Sequence, residues 1–423
     1  MNRGVLLEEP AIENAGGQKE TLRGWRFALN PPLDRTALIL ALWSVPISIA
    51  IAESFLAIAV LARVFRIVRR QGHIFLPRCF WFWLVWAGSE VVAWSFSPQP
   101  ALGRAEIRHL FLLGAMFFVL PALHCPADCR IAWQGVFLTS TLSSAFLIGD
   151  FVSRLFYYRP ELRVGGDPGL YLRSGGLTNH WMVYGTLEVM VVAAMLNFWS
   201  AYPEKRRRWW PAFLINGAAI VVSLTRMVWI TCFVLLGMHL AWRRRKWVWA
   251  LPLLTICLYW LAPTPVRLRL KESFDPNYYS NLERVEMLRV GWKMVREHPL
   301  TGIGPGRVDR LYTKYLAPQD AVPAWHGHLH NNLAQLAAQF GIPVTLAAML
   351  FVTLLFCDLL QARRAARDRE REFIALTGIF ALTAFVFAGL FDYTYGHALG
   401  LILLSFAVLP ALVGAQPAEE RRP

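Results

Sequence analysis

"NNLAQLAAQFGIPVTLAAMLFVTLLFCDLLQARRAARDRER" (residues 331–371) carries one acid, Asp358, and no base as far as Leu359, then gathers Arg363, Arg364, Arg367, Arg369 and Arg371. A helix needs about 20 apolar residues to cross a hydrocarbon core of roughly 30 Å. Arginines at the far end are the mark of a cytosolic boundary. The stretch therefore reads as a membrane span over residues 331–359 that ends inside the cell. The rest of the chain repeats this alternation. Of its 423 residues, 56% are hydrophobic, including 18 Trp and 27 Phe, and they fall in apolar blocks separated by short charged clusters. A soluble chain would instead show amphipathic periods.

Apolar runs and breakers place two short spans within residues 36–68, kinked at Pro46 with Glu53 near the turn, where a single re-entrant hairpin fits equally well. Further spans are expected at 77–97, 105–124, 130–157, 180–200, 209–224, 227–242, 247–262, 331–359, 373–391 and 396–414. The fold expected is an all-α polytopic membrane protein of about twelve transmembrane helices. Its segments are a cytosolic tail (1–35), spans one to nine (36–262), a large, partly helical outer loop (263–330) before the tenth span, spans ten to twelve (331–414) and a second cytosolic tail (415–423). The first 36 residues are polar, without the apolar core of a cleavable signal.

With the N-terminus inside, the clusters at Arg63–Arg70, Lys205–Arg208, Arg243–Lys246 and Arg363–Arg371 all fall on the cytosolic side. The net charge of +15 is then a topology signal, with membrane lipids and not nucleic acid as its partner. The outer loop at 263–330 breaks the trend, with ten Lys or Arg against seven Asp or Glu, and invites an anionic ligand. Cys79, Cys125, Cys129, Cys232, Cys257 and Cys357 lie in or near spans and are expected to be reduced.

Within that loop, residues 281–297 have helical periodicity. Val285, Met287, Leu288, Trp292, Met294 and Val295 share an apolar arc, and Glu286, Arg289, Lys293, Arg296 and Glu297 lie opposite. Arg284 falls inside the apolar arc, where it must snorkel or meet an anion. "HPLTGIGPG" (298–306) then forces a turn that can offer backbone N–H groups to phosphate. Next come His326, His328 and His330, whose spacing suits zinc as strand or helix, although no cysteine or acid stands nearby in sequence. His330 differs in opening a polar flank of Asn331, Asn332, Gln335 and Gln339 on an apolar helix, which suggests a wet cavity. Glu53, Glu90, Asp150 and Glu188 read as buried hydrogen-bonding groups, and Tyr393, Tyr395 and His397 of "DYTYGH" as an interfacial belt or a cleft wall.

Four motifs in order, "RSGGLTNH" (173–180), "SLTRM" (223–227), "NLERVEMLRVGWKMVREHPLTGIGPG" (281–306) and "HNNLAQLAAQFGI" (330–342), resemble the O-antigen ligase and polymerase superfamily of lipopolysaccharide assembly. The likeness covers about residues 160–345, and Thr225 stands where the family motif has serine, with Ser223 two residues earlier. The resemblance implies a type C glycosyltransferase-like fold in the bacterial inner membrane, its active site facing the periplasm. The donor would be a glycan on undecaprenyl pyrophosphate. A ligase passes it to the lipid A core, and a polymerase to another lipid-linked glycan.

By position, the resemblance assigns catalytic roles to Arg226, Arg284 and His330. Arg173, His180, His328 and Asn331 are expected to contact substrate. Guanidinium groups suit a departing pyrophosphate, and histidine suits deprotonation of a sugar hydroxyl with inversion at the anomeric carbon. No metal, nucleotide or other cofactor is expected. A polysaccharide or lipid transporter is the rival class, but the sequence contains no inverted repeat.

Overall fold

The structure, a computed structural model, describes residues 32–71, 74–123, 125–157, 171–178, 180–317 and 327–414. Among these residues it is helical throughout, with no strand. Helices α1 (Leu33–Ser44) and α2 (Ile49–Val68) fold back on each other through the turn at Pro46. They are unequal, and α1 at 12 residues is about 18 Å long, less than a hydrocarbon core. Glu53 is exposed on α2.

The chain continues through α3 (Arg78–Ser95), α4 (Arg108–Val119), α5 (Pro126–Tyr157), α6 (Trp181–Ala201), α7 (Arg206–Val222), α8 (Arg226–Arg243) and α9 (Leu251–Leu261). Three helices follow within residues 263–330: α10 (Thr264–Phe274), α11 (Tyr279–Glu297) and α12 (Val308–Tyr315). The chain then returns through α13 (Asn332–Phe340), α14 (Ile342–Ala365), α15 (Arg369–Ala388) and α16 (Ala398–Gly414). Five helical stretches among the described residues are long and apolar enough to cross a membrane: 100–122, α5, α6, α14 and α15, with α16 a shorter apolar helix.

Helices α6 and α15 are apolar on every side and occupy the centre, packed against each other and against α16. Phe198, Phe373, Phe380 and Phe406 fill the space between them. By contrast, α14 leaves Leu346, Met349 and Leu350 exposed, as a helix facing lipid does. A second, smaller core forms where Met287, Val290 and Met294 of α11 pack on Ile303, Tyr312, Leu329 and Ala338.

One end of the bundle gathers the arginine clusters, and acids meet many of them. Asp34 is buried and accepts from Arg66 at 2.8 Å and Arg63 at 3.4 Å. Arg35 reaches Asp128 at 3.2 Å, Arg130 pairs with Glu370, Arg243 with Glu372 at 2.9 Å and Arg369 with Glu204 at 3.2 Å. These contacts tie the starts of α1, α5 and α15 to the ends of α2, α6 and α8. The clusters expected to touch anionic lipid therefore also lace the helices together.

The stretch 331–359 is not one helix. Gly341 breaks it, at φ +86, and Pro343 sits in the first turn of α14, where its missing N–H costs nothing. The glycine turn at 302–306 has a related task, different from the phosphate cradle expected of it. The N–H of Ile303 donates to the Ala338 carbonyl at 2.8 Å, and that of Gly304 to Gln339 at 3.0 Å. These donors satisfy the last carbonyls of α13. A Cβ on Gly302 would strike the Gln339 backbone, and one on Gly341 the Leu300 carbonyl. Gly341→Ala is therefore expected to cost more than about 1 kcal/mol, and thermal unfolding in detergent should show a lower midpoint than for the control Gly88→Ala, whose Cβ meets nothing.

Candidate active site

At the end of the bundle opposite the ion pairs, the starts of α6, α8 and α13, the end of α15 and helices α10 and α11 converge on a cavity of 360 Å³. Arg173, Arg226, Arg269, Arg284, His330 and Asn331 line it, against an apolar wall that includes Met182, Ile230, Leu288 and Phe391. Four guanidiniums around one small space form a strong trap for a multiply charged anion.

Each arginine is held by a different element. Arg226 opens α8 after the N-cap Thr225, which follows Leu224, whose φ of +51 is unusual for a bulky residue and turns the chain sharply. Its guanidinium donates to Asn281 and, at 3.0 Å, to Ser280 at the start of α11. Arg284 donates to the Phe391 carbonyl. Burial lowers the pKa of Arg284 from its ordinary value, with Asp392 opposing this and the Arg269 charge adding to it. Arg269 is 4% exposed and donates to Glu272 and to the Tyr278 hydroxyl, both at 2.9 Å. Tyr278 lies beneath two of these cations, its ring centre 5.4 Å from Arg269 and 6.0 Å from Arg226. Arg173 sits 5.9 Å from the Trp181 ring. Arg269 went unnoticed in the sequence because it belongs to a run of alternating basic residues, "RLRLK", whose facing only the fold decides.

His330 lies at φ +48, just ahead of α13, and its ring Nδ1 stands 3.0 Å from Asp392 Oδ1. Asp392 is the acidic partner that sequence proximity did not supply, since 62 residues separate the two. Burial pushes its carboxyl up, but the hydrogen bond with His330 and the charges of the surrounding histidines outweigh it and hold the group down at about 2. His328 packs on the His330 ring at 4.2 Å between centres, and its Nδ1 accepts from the His330 backbone N–H at 3.2 Å. Burial, reinforced by His330, lowers the pKa of His328 to about 3, so this ring is neutral at working pH. Ligand atoms of His328, His330 and Asp392 lie within 4.8 Å of one another, close enough to share a divalent ion, although His330 and Asp392 already satisfy each other. His326 falls outside the described residues.

The other expected contacts divide. His328 and His180 do not line the cavity. His180 caps α6, its Nδ1 accepting from the Met182 N–H at 3.3 Å. Asn331 lines the cavity, yet its side chain also caps α13 through Ala334 and donates to the Leu390 carbonyl. Gln335 accepts from the Leu329 N–H at 2.8 Å, so the amide flank read as a wet cavity mainly fastens the start of the helix. Tyr393 and Tyr395 form no belt. Both are buried and donate to Glu106 at 3.1 Å and to Glu90 at 3.4 Å. Glu90 also meets His109, Glu188 accepts from Ser140, and Asp150 pairs with Arg154.

Residues 211–349 match the family model described as O-antigen ligase, and this supports assignment to that family. The matched segment holds Arg226, Arg269, Arg284, His328, His330 and Asn331, whereas Arg173, His180 and Asp392 lie outside it. No curated protein matches the chain. Together, the match and the apolar helices indicate a multi-pass membrane protein.

The cavity's chemistry can be tested with its simplest anion. Arg284→Lys loses the planar fork and should weaken binding of inorganic pyrophosphate about tenfold. Arg289, whose side chain is 65% exposed and outside the cavity, should tolerate the same change. Calorimetry on detergent-purified protein separates the two, and equal losses would favour diffuse attraction over a built site.

Proposed function

We propose that the protein is a periplasmic-face glycosyltransferase of the inner membrane that moves an O-antigen glycan from undecaprenyl pyrophosphate to a sugar hydroxyl of the lipid A core. The observation that carries this reading is the grouping of His330 with four arginines around one cavity. The acceptor oxygen attacks the anomeric carbon, the bond from that carbon to the pyrophosphate oxygen breaks, and the hydroxyl proton passes to His330. Charge that builds on the departing pyrophosphate falls among Arg226, Arg284 and Arg269, with Arg173 at the edge. Attack from the face opposite the leaving group inverts the anomeric centre. The apolar wall keeps water from competing as acceptor.

Purified protein in detergent, given a polyprenyl-pyrophosphate glycan and lipid A core, should form the ligated product without a sealed membrane. Elongated lipid-linked glycan as the product would identify a polymerase, and no transfer would point to a transporter. His330→Ala should retain pyrophosphate binding and lose on the order of 10²- to 10⁴-fold in rate.

Because the arginines meet the pyrophosphate directly, transfer should also survive strong chelation. Activity lost in EDTA and restored by zinc would turn the reading toward an ion on His328, His330 and Asp392.

A further inference from the structure

We propose that Asp392 is a positioning residue, which holds the His330 imidazole in the tautomer whose proton-accepting nitrogen is Nε2. The inference rests on the reading of His330 as the base. An ionised carboxylate can only accept hydrogen bonds. The 3.0 Å contact therefore requires a proton on His330 Nδ1, and the neutral ring then carries its basic lone pair on Nε2. When the acceptor O–H breaks and its proton reaches Nε2, the imidazolium that forms keeps its Nδ1–H on the carboxylate, so the new positive charge arises beside a fixed negative one.

Three further observations favour a carboxylate kept for this task. Asp392 is fully buried, and its second oxygen, Oδ2, has no hydrogen-bond partner, a costly state for a charge that only stabilised the turn. The residue before it, Phe391, is fixed through its carbonyl by Arg284, which couples the carboxylate's placement to the anion cavity. His330 is itself held in a left-handed backbone conformation, an outlier typical of sites where a side chain is aimed at some cost. Around His330 the facing titratable groups are Asp392, His328 and His397 from the outer turns, His180 from the start of α6, and Glu283 and Arg284 from α11. Among the acids, only Asp392 is shown hydrogen-bonded to the ring.

The test pairs Asp392→Asn with His330→Ala in the detergent transfer assay. Asp392→Asn should lower kcat on the order of 10²-fold through loss of tautomer and charge, while KM for the donor and pyrophosphate affinity stay as in the wild type. Asp392→Glu keeps the charge and should return part of the rate, which decides the matter if the asparagine variant unfolds. In a His330→Ala background, Asp392→Asn should add nothing.

An Asp392→Asn enzyme with wild-type kcat, or equal losses in both backgrounds, would overturn the inference while leaving His330 as the base. Full activity in His330→Ala would remove the base reading itself, and with it this role for Asp392.

Discussion

The site depends on one side chain that bridges two parts of the chain remote in sequence. Asn332 spends its backbone N–H and both ends of its side-chain amide on the turn between α15 and α16. Its backbone N–H donates to the Gly389 carbonyl at 2.7 Å, its amide nitrogen to Thr394 at 2.9 Å, and its amide oxygen accepts from the Tyr395 N–H at 3.3 Å. Gly389 is required for this approach, since a Cβ there would collide with the Asn332 amide. With the two segments locked, His330 two residues before the clamp and Asp392 within the clamped turn have little freedom to be elsewhere. The turn is anchored on its other side by Glu90, which meets both His109 and Tyr395, and by Glu106, which meets Tyr393. These contacts are buried and mutually satisfying, which makes them strong, and costly to lose one at a time.

The cavity beside the clamp works in the opposite sense, because it is built to be incomplete. Arg226, Arg269 and Arg284 repel one another in a half-buried space, and neutral partners do much of the holding: Ser280 and Asn281 for Arg226, the Phe391 carbonyl for Arg284. Glu272 offsets part of the Arg269 charge. Positive charge thus remains in excess. In the transfer we propose, a diphosphate would relieve that repulsion in a low-dielectric setting, where each contact is worth more than in water. The stabilisation would grow as charge moves onto the leaving oxygen, which would favour the transition state over the ground state.

Legibility in the sequence followed the range of the interactions. The apolar blocks revealed α5, α6, α8, α15 and α16 because burial in lipid requires long uninterrupted runs, and the periodicity at 281–297 revealed α11. The break at Gly341 was hidden by the continuity of the apolar pattern, although Gly341 and Pro343 mark it once left-handed backbone is considered. Arg284 stood out on an apolar arc and His330 at the head of a polar flank, whereas Arg226 was reached through the motif resemblance. Asp392 was not visible in either way, because its significance is a contact 62 residues away, and a lone acid in a short turn reads as solvated. The amides after His330 misled for a related reason. Polarity at the mouth of a helix signals capping as readily as a wet cavity, and here Asn331 and Gln335 are largely spent on fastening the start of α13.

The apolar arc assigned to α11 divides in two, and the division explains why an arginine belongs there. Met287, Val290, Met294 and Val295 face the small core, whereas Leu282, Val285, Leu288 and Trp292 are exposed, Trp292 at 67%. A helix buried on one side and apolar toward the outside fits the plane of a membrane surface. Arg284 lies between these two faces and reaches the Phe391 carbonyl. Its aliphatic stem can then run beside the exposed stripe while its guanidinium stays in the cavity. A lipid-linked pyrophosphate has the same two-part character, hydrocarbon on one side and dense negative charge on the other. The helix that carries Arg284 presents the matching sequence of surfaces, apolar and then cationic.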